Sequence, residues 1–77
     1  MEATIEDILK IASEIDPSLH VGARIGPDGS HVTFLGRTPA GRSVAFEISL
    51  RHAGRSVAWW RAVIGMKWRC LAGRRAG

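Results

Sequence analysis

Apolar residues recur at helical spacing from the start of the chain. Ile5, Ile8, Leu9, Ala12 and Ile15 fall on one face and leave Glu6, Lys10 and Glu14 on the other. Thr4, with Asp7 three residues later, makes a capping-box-like start that uses an acid where Glu is usual. Asp16-Pro17 ends the helix, because proline disfavours helical geometry in the residue before it. Beyond it the period changes to two. His20 to Ile25 alternates weakly, with Val21, Ala23 and Ile25 on one side, and Gly26-Pro27-Asp28-Gly29 is a turn. His31 to Leu35 reads as a second strand and Thr38 to Arg42 as a second turn. Ser43 to Leu50 is the cleanest strand, with Val44, Phe46, Ile48 and Leu50 facing one way. Short turns between adjacent strands predict an antiparallel meander with one face in need of cover.

The last third of the chain supports two patterns. Val57, Trp60, Ile64, Trp68 and Leu71 share a helical face, which predicts a helix from about Arg55 towards Leu71. Gly65 is a natural helix stop, however, and residues 66–70 alternate strictly, with Met66, Trp68 and Cys70 opposite Lys67 and Arg69, as a short fourth strand would. The continuous helix is preferred. The expected architecture is therefore α+β in the order α-β-β-β-α, a three-stranded antiparallel sheet covered by two helices. Residues 1–71 form one domain and residues 72–77 a flexible basic tail.

Size and composition narrow the function classes. A chain of 77 residues hides only about 60% of the surface its unfolded form exposes. It supports one compact core and no large enclosed cofactor pocket. Its single cysteine, Cys70, cannot form an internal disulfide, which fits a reducing, cytoplasmic setting. No window approaches the roughly 20 apolar residues of a membrane span, and the acidic stretch from Met1 to Asp16 lacks the basic-then-apolar order of a signal peptide. Secretion, membrane spanning and a multi-domain enzyme are disfavoured.

Charge changes the picture further. Five acids and one base lie between Met1 and Asp16, a net of −4, whereas two acids and ten bases follow, a net of +8. Nine of the eleven bases are Arg, whose planar fork suits phosphate. So uneven a distribution points to one surface facing an anion, with nucleic acid the commonest large one.

Gly29-Ser30-His31-Val32-Thr33-Phe34 is the richest stretch chemically. It lies where a turn hands over to a strand, so His31 is expected near the strand's edge, as a group able to titrate near neutral pH and act as a general acid or base. Ser30 can cap an amide or touch phosphate. RNA brings its own nucleophile, the 2′-OH, so one placed histidine and a few cations suffice for cleavage. The plainer alternative is ordinary turn chemistry with a solvated histidine.

In Gly29, Ser30, His31 and Phe34, the chain resembles the HicA family of toxin mRNA interferases, which carry Gly-Ser-His-x-x-aromatic at the start of the second strand of an α-β-β-β-α domain. The resemblance extends over roughly Ile5 to Ile64, and Gly54 to Arg61 is similar to the opening of the family's last helix. It implies a double-stranded-RNA-binding-domain-like fold, an endoribonuclease acting on mRNA with His31 as the catalytic residue, no cofactor, and a HicB-type antitoxin as partner.

Arg51-His52-Ala53-Gly54-Arg55 stands at the entry to the last helix, where helix amides and cations together favour phosphates. Arg51, His52 and Arg55 are the candidate nucleic-acid contacts. Trp59, Val63 and Met66, with Cys70, form a stripe beside the core face, more apolar surface than one small sheet can cover. They are the candidate protein interface, with a homodimer through the C-terminal helix among the candidate partners, and a helix resting on a membrane is the lesser alternative. His20, His31, His52 and Cys70 stand singly at wide spacings, so no metal site is expected. Two functions from different classes emerge. One is an RNA-binding protein of the HicA-like endoribonuclease type. The other is a small non-catalytic interaction protein, such as a phage or mobile-element inhibitor of a larger complex.

Overall fold

A computed structural model describes residues 2–73; the basic tail around Arg74 and Arg75 lies outside the described residues. The order is helix α1 (Ile5–Ile15), strands β1 (His20–Gly26), β2 (Gly29–Arg37) and β3 (Ser43–Ser49), a 3-10 turn at Leu50–His52, and helix α2 (Val57–Ala72). The strands form one antiparallel sheet in the order β1-β2-β3. The α+β expectation holds, and α2 runs unbroken through Gly65, so no fourth strand exists at 66–70. Gly65 is buried within the helix, and a Cβ placed on it would lie 3.8 Å from Cδ1 of Ile15 on α1. That distance is ordinary contact, so Gly65 neither ends the helix nor is required by a close approach of α1.

Local chemistry explains each boundary. The Asp7 N–H donates to Thr4 Oγ1 at 3.1 Å and the Thr4 N–H donates to Asp7 Oδ2 at 2.8 Å, closing a reciprocal cap on α1. After Asp16 the chain turns. The Ser18 hydroxyl donates to the Arg37 carbonyl and accepts from the Arg37 N–H, tying this turn to the end of β2. Pro27 and Asp28 connect β1 to β2, and Gly29 takes a φ of 121°, a conformation that side-chain-bearing residues rarely adopt. The β2–β3 loop is closed by Thr38, whose N–H donates to the Arg42 carbonyl and whose carbonyl accepts from the Gly41 N–H.

The register separates the two faces of the sheet. Phe34 pairs with Val21 and Phe46, and Val32 with Ala23 and Ile48. Because partners across a ladder share a face, these residues form the side that both helices cover. Val32, Phe34 and Ile48 are buried there against Ile8, Ile11, Ala12, Trp60, Ile64 and Trp68. Phe34 and Phe46 stack with ring centroids 4.8 Å apart. Gly36 permits the closest approach: a Cβ on it would lie 2.7 Å from Cζ3 of Trp68 and 2.9 Å from Cδ2 of Leu19.

Two expectations about burial need correction. On α1 the deepest residue is Ile11, at 1% exposure, whereas Ile5 and Leu9 are 64% and 47% exposed. The core stripe is Ile8, Ile11, Ala12 and Ile15, rotated toward α2, and Ile5 and Leu9 form its outer flank. On β1, Ile25 shares the covered face but is 86% exposed, because neither helix reaches that corner of the sheet.

Candidate nucleic-acid interface

The sheet end that carries the β1–β2 turn also carries the exit from β3. His31 pairs with Arg24 on one side and with Ser49 on the other, and Arg51 follows Ser49 by two residues. The Arg51 N–H donates to Ser49 Oγ at 3.3 Å, opening the 3-10 turn, and the Arg55 N–H donates to the His52 carbonyl at 3.0 Å. Ser56 then caps α2, its Oγ accepting from the Trp59 N–H at 3.2 Å. The Arg55 carbonyl accepts from the Ala3 N–H, which pins the start of α1 to the start of α2. The basic segment is thus held by its own turns and by the N-terminal strand-like residues.

Trp59 organises the side chains. Its ring lies 4.9 Å from that of His52, centroid to centroid, and the Arg55 guanidinium stands 5.6 Å over it. Edge-on contact with Trp60, at 5.3 Å, fixes the indole from below. Two of the three predicted phosphate contacts, His52 and Arg55, are brought together on the Trp59 ring, His52 half-buried and Arg55 exposed, while Arg51 is exposed on the 3-10 turn before them. Neither Arg51 nor Arg55 has an acidic partner within 4.0 Å among the described residues. From Leu50 to Gly73 there is no acid at all.

His31 occupies a different setting from the one expected. It is the third residue of β2, on the sheet face away from the helices, with its side chain 12% exposed. Its Nε2 lies 3.8 Å from Oδ2 of the exposed Asp28, and its Nδ1 is buried with no hydrogen-bond partner among the described residues. Beside it Arg24 reaches across β2 to Glu47 in a two-pronged contact, both bonds 2.8 Å. That hydrogen bonding holds the Glu47 carboxyl below its ordinary range and raises the Arg24 guanidinium further. Ser30 precedes His31 in the strand, so the two side chains point to opposite faces; the structure does not bring them to one substrate.

The predicted protein interface is also divided. Trp59 and Val63 are half-buried and Met66 is 51% exposed, so Trp59 serves the basic cluster more than an open patch. The reading of the sequence missed this role of Trp59, although a tryptophan one turn beyond Arg55, in a run with no acid, was its available signal. It also missed the Arg24–Glu47 bridge, whose partners are 23 residues apart and meet only through the register of three strands. Among the described residues no three of His, Cys, Asp and Glu converge in a way that could hold a metal ion, and no helix is long and apolar enough to cross a membrane. Compared with known proteins, the chain matches no family model, no curated protein and no solved structure.

Proposed function

We propose that this chain is a small RNA-binding module that grips phosphates with Arg51, His52 and Arg55 at the approach to α2. The observation that carries the reading is the meeting of His52 and Arg55 on Trp59 at a helix N-terminus, four residues or fewer from the exposed Arg51, in a stretch from Leu50 to Gly73 that contains no acid. Helix amides and the macrodipole add to the same positive field. RNA is preferred to DNA because the α-β-β-β-α order with a basic entry to the last helix is the arrangement of double-stranded-RNA-binding domains. That rests on analogy of fold and not on a base contact. The acidic start of α1 is held beside this cluster by the Ala3–Arg55 hydrogen bond and the Glu2–Ser56 β-bridge, which keeps affinity for phosphate modest.

Cleavage by His31, and with it a HicB-type antitoxin, is the weaker part of the HicA-like reading. A general acid or base must reach the proton it moves, and a ring 12% exposed beside Asp28 offers little access. The non-catalytic interaction reading loses one support as well, since Trp59 is engaged by His52 and Arg55.

Fluorescence anisotropy with an RNA duplex of about 16 base pairs, the span typical of such domains, tests the proposal. Wild type is expected to bind at low salt with a log–log salt slope of about −2, one unit for each exposed arginine. The double variant Arg51→Glu/Arg55→Glu should lose binding while keeping its far-UV circular dichroism. Binding that survives the double reversal, or absence of binding by wild type at low salt, overturns the reading. In the same tubes wild type is expected to leave the RNA intact; cleavage that disappears in His31→Ala would reinstate the ribonuclease.

A further inference from the structure

We propose that the Arg24–Glu47 bridge is a strap closed over His31, and that its opening governs access to the imidazole, independently of phosphate binding at α2. His31 is covered where no helix covers it. Its side chain is 12% exposed, yet it lies on the sheet face that both helices leave bare. Its Nδ1 is buried there without a hydrogen-bond partner among the described residues. On such a face the cover has to come from side chains that reach over the strand.

Arg24 takes that path. On the bare face His31 stands in a row with Arg24 and Ser49. Thr33 stands in the next row with Gly22 and Glu47, and Gly26 pairs with Gly29 in the row on the other side. The Arg24 Nε and Nη2 donate to Glu47 at 2.8 Å each, while Nη1 lies 2.9 Å from where a Cβ on Gly26 would stand. The guanidinium therefore stretches from above Gly26 on β1 towards Glu47 on β3, and the line between those two points crosses β2 at His31. Asp28 flanks the near end: its Oδ1 lies 3.2 Å from the same Cβ position and its Oδ2 is 3.8 Å from Nε2 of His31. Gly26 is the seat of the strap, since any side chain there would meet the guanidinium.

The same residues set the strap to open. The Arg24 and Glu47 side chains are 48% and 40% exposed, so their pairing gains little over two hydrated charges. Closure also keeps Nδ1 of His31 from water without giving it a partner, which works against the closed state. The bridge is thus held shut by a small margin, and the imidazole is presented whole when the guanidinium swings off.

The rate at which diethyl pyrocarbonate acylates each histidine, mapped by peptide mass spectrometry at one pH, reads the strap. In wild type His31 is expected to react several times more slowly than the exposed His20. Gly26→Ala keeps every charge and places a methyl group against the guanidinium, and Glu47→Gln weakens the far anchor. Each should speed the reaction of His31 about fivefold, the factor that an exposed ion pair at the top of its usual range supplies, and leave His20 and His52 unchanged. Leu35→Ala, on the same face beyond Thr33, should change nothing, and amide hydrogen exchange across β2 should stay the same in every variant. A wild-type His31 as reactive as His20, or one that both strap variants leave as slow as before, overturns the proposal. Acceleration that comes with faster amide exchange across β2 overturns it too, because local unfolding would then be what bares the ring.

Discussion

Helix α1 covers the sheet with 11 residues whose first turn carries Glu6 and Asp7, whereas α2 covers it with 16 residues that include no acid. Both pack on the same face and both begin with a hydroxyl N-cap, Thr4 and Ser56, yet the side chains that each segment supplies to its own N-terminus differ in sign. At α1 the positive end of the helix dipole is met by carboxylates of the same helix, and the account is closed locally. At α2 the same positive end is approached by Arg51, His52 and Arg55, which add to the field rather than cancel it. The β-bridge between Glu2 and Ser56 brings acid to that start from outside the helix, so what it offers an anion is an excess of positive charge and not an unopposed one. The contrast teaches that the acidic helix is built for the fold and the approach to the basic one for a ligand.

The hydrophobic side of the comparison can be broken by core truncation. Trp60 is fully buried at the centre of the α2 contact, so Trp60→Ala is expected to cost about 3–5 kcal/mol, a large part of the stability of any small domain. Urea unfolding followed by circular dichroism measures it. On α1 the sharper test compares two neighbours. Ile11→Ala should cost about 2–4 kcal/mol because its site is closed on all sides, whereas Leu9→Ala should cost under about 1 kcal/mol. Equal costs would mean that the stripe of α1 faces the sheet as its periodicity alone suggests.

That pair of residues also shows how far the fold was legible. The order of elements, the cap at Thr4, the stop at Asp16-Pro17 and the Pro-Gly turn follow from chemistry within four residues, and all appear in the structure. Periodicity does not single out Ile11, because the run of Ile5, Ile8, Leu9, Ile11, Ala12 and Ile15 spans nearly half the helix circumference. Which part of so wide an arc is buried depends on where α2 lies, and that is tertiary information. The Gly65 ambiguity has a similar origin, since a glycine that can end a helix is carried through one whose flanking residues Ile64 and Trp68 are buried in the core. For the site, the cluster at Arg51 to Arg55 was legible because it is local. The setting of His31 was not, because its cover comes from the β1–β2 turn and from residues on both flanking strands. The opposite facing of Ser30 and His31 was available from the two-residue period of any strand.

The smallest effect separates the two caps. Thr4→Ala and Ser56→Ala should each cost about 1 kcal/mol, the usual loss when a hydroxyl cap is removed. Acid distinguishes them. The hydrogen bond from the Thr4 backbone N–H holds the Asp7 carboxyl below its ordinary range, with the Thr4 hydroxyl contact acting in the same direction. A carboxyl whose folded pKa is depressed contributes stability that is present above its unfolded pKa and lost as pH falls through the folded one. The α2 cap uses a hydroxyl that does not titrate. Amide hydrogen exchange at acidic pH should therefore show the Thr4 and Asp7 amides losing protection as the pH drops below the usual carboxylate range, while the Trp59 amide keeps its own. Asp7→Asn should flatten that pH dependence. Parallel loss at both helix starts would instead mean that acid acts on the whole domain, and that the α1 terminus is not the self-contained unit its carboxylates make it.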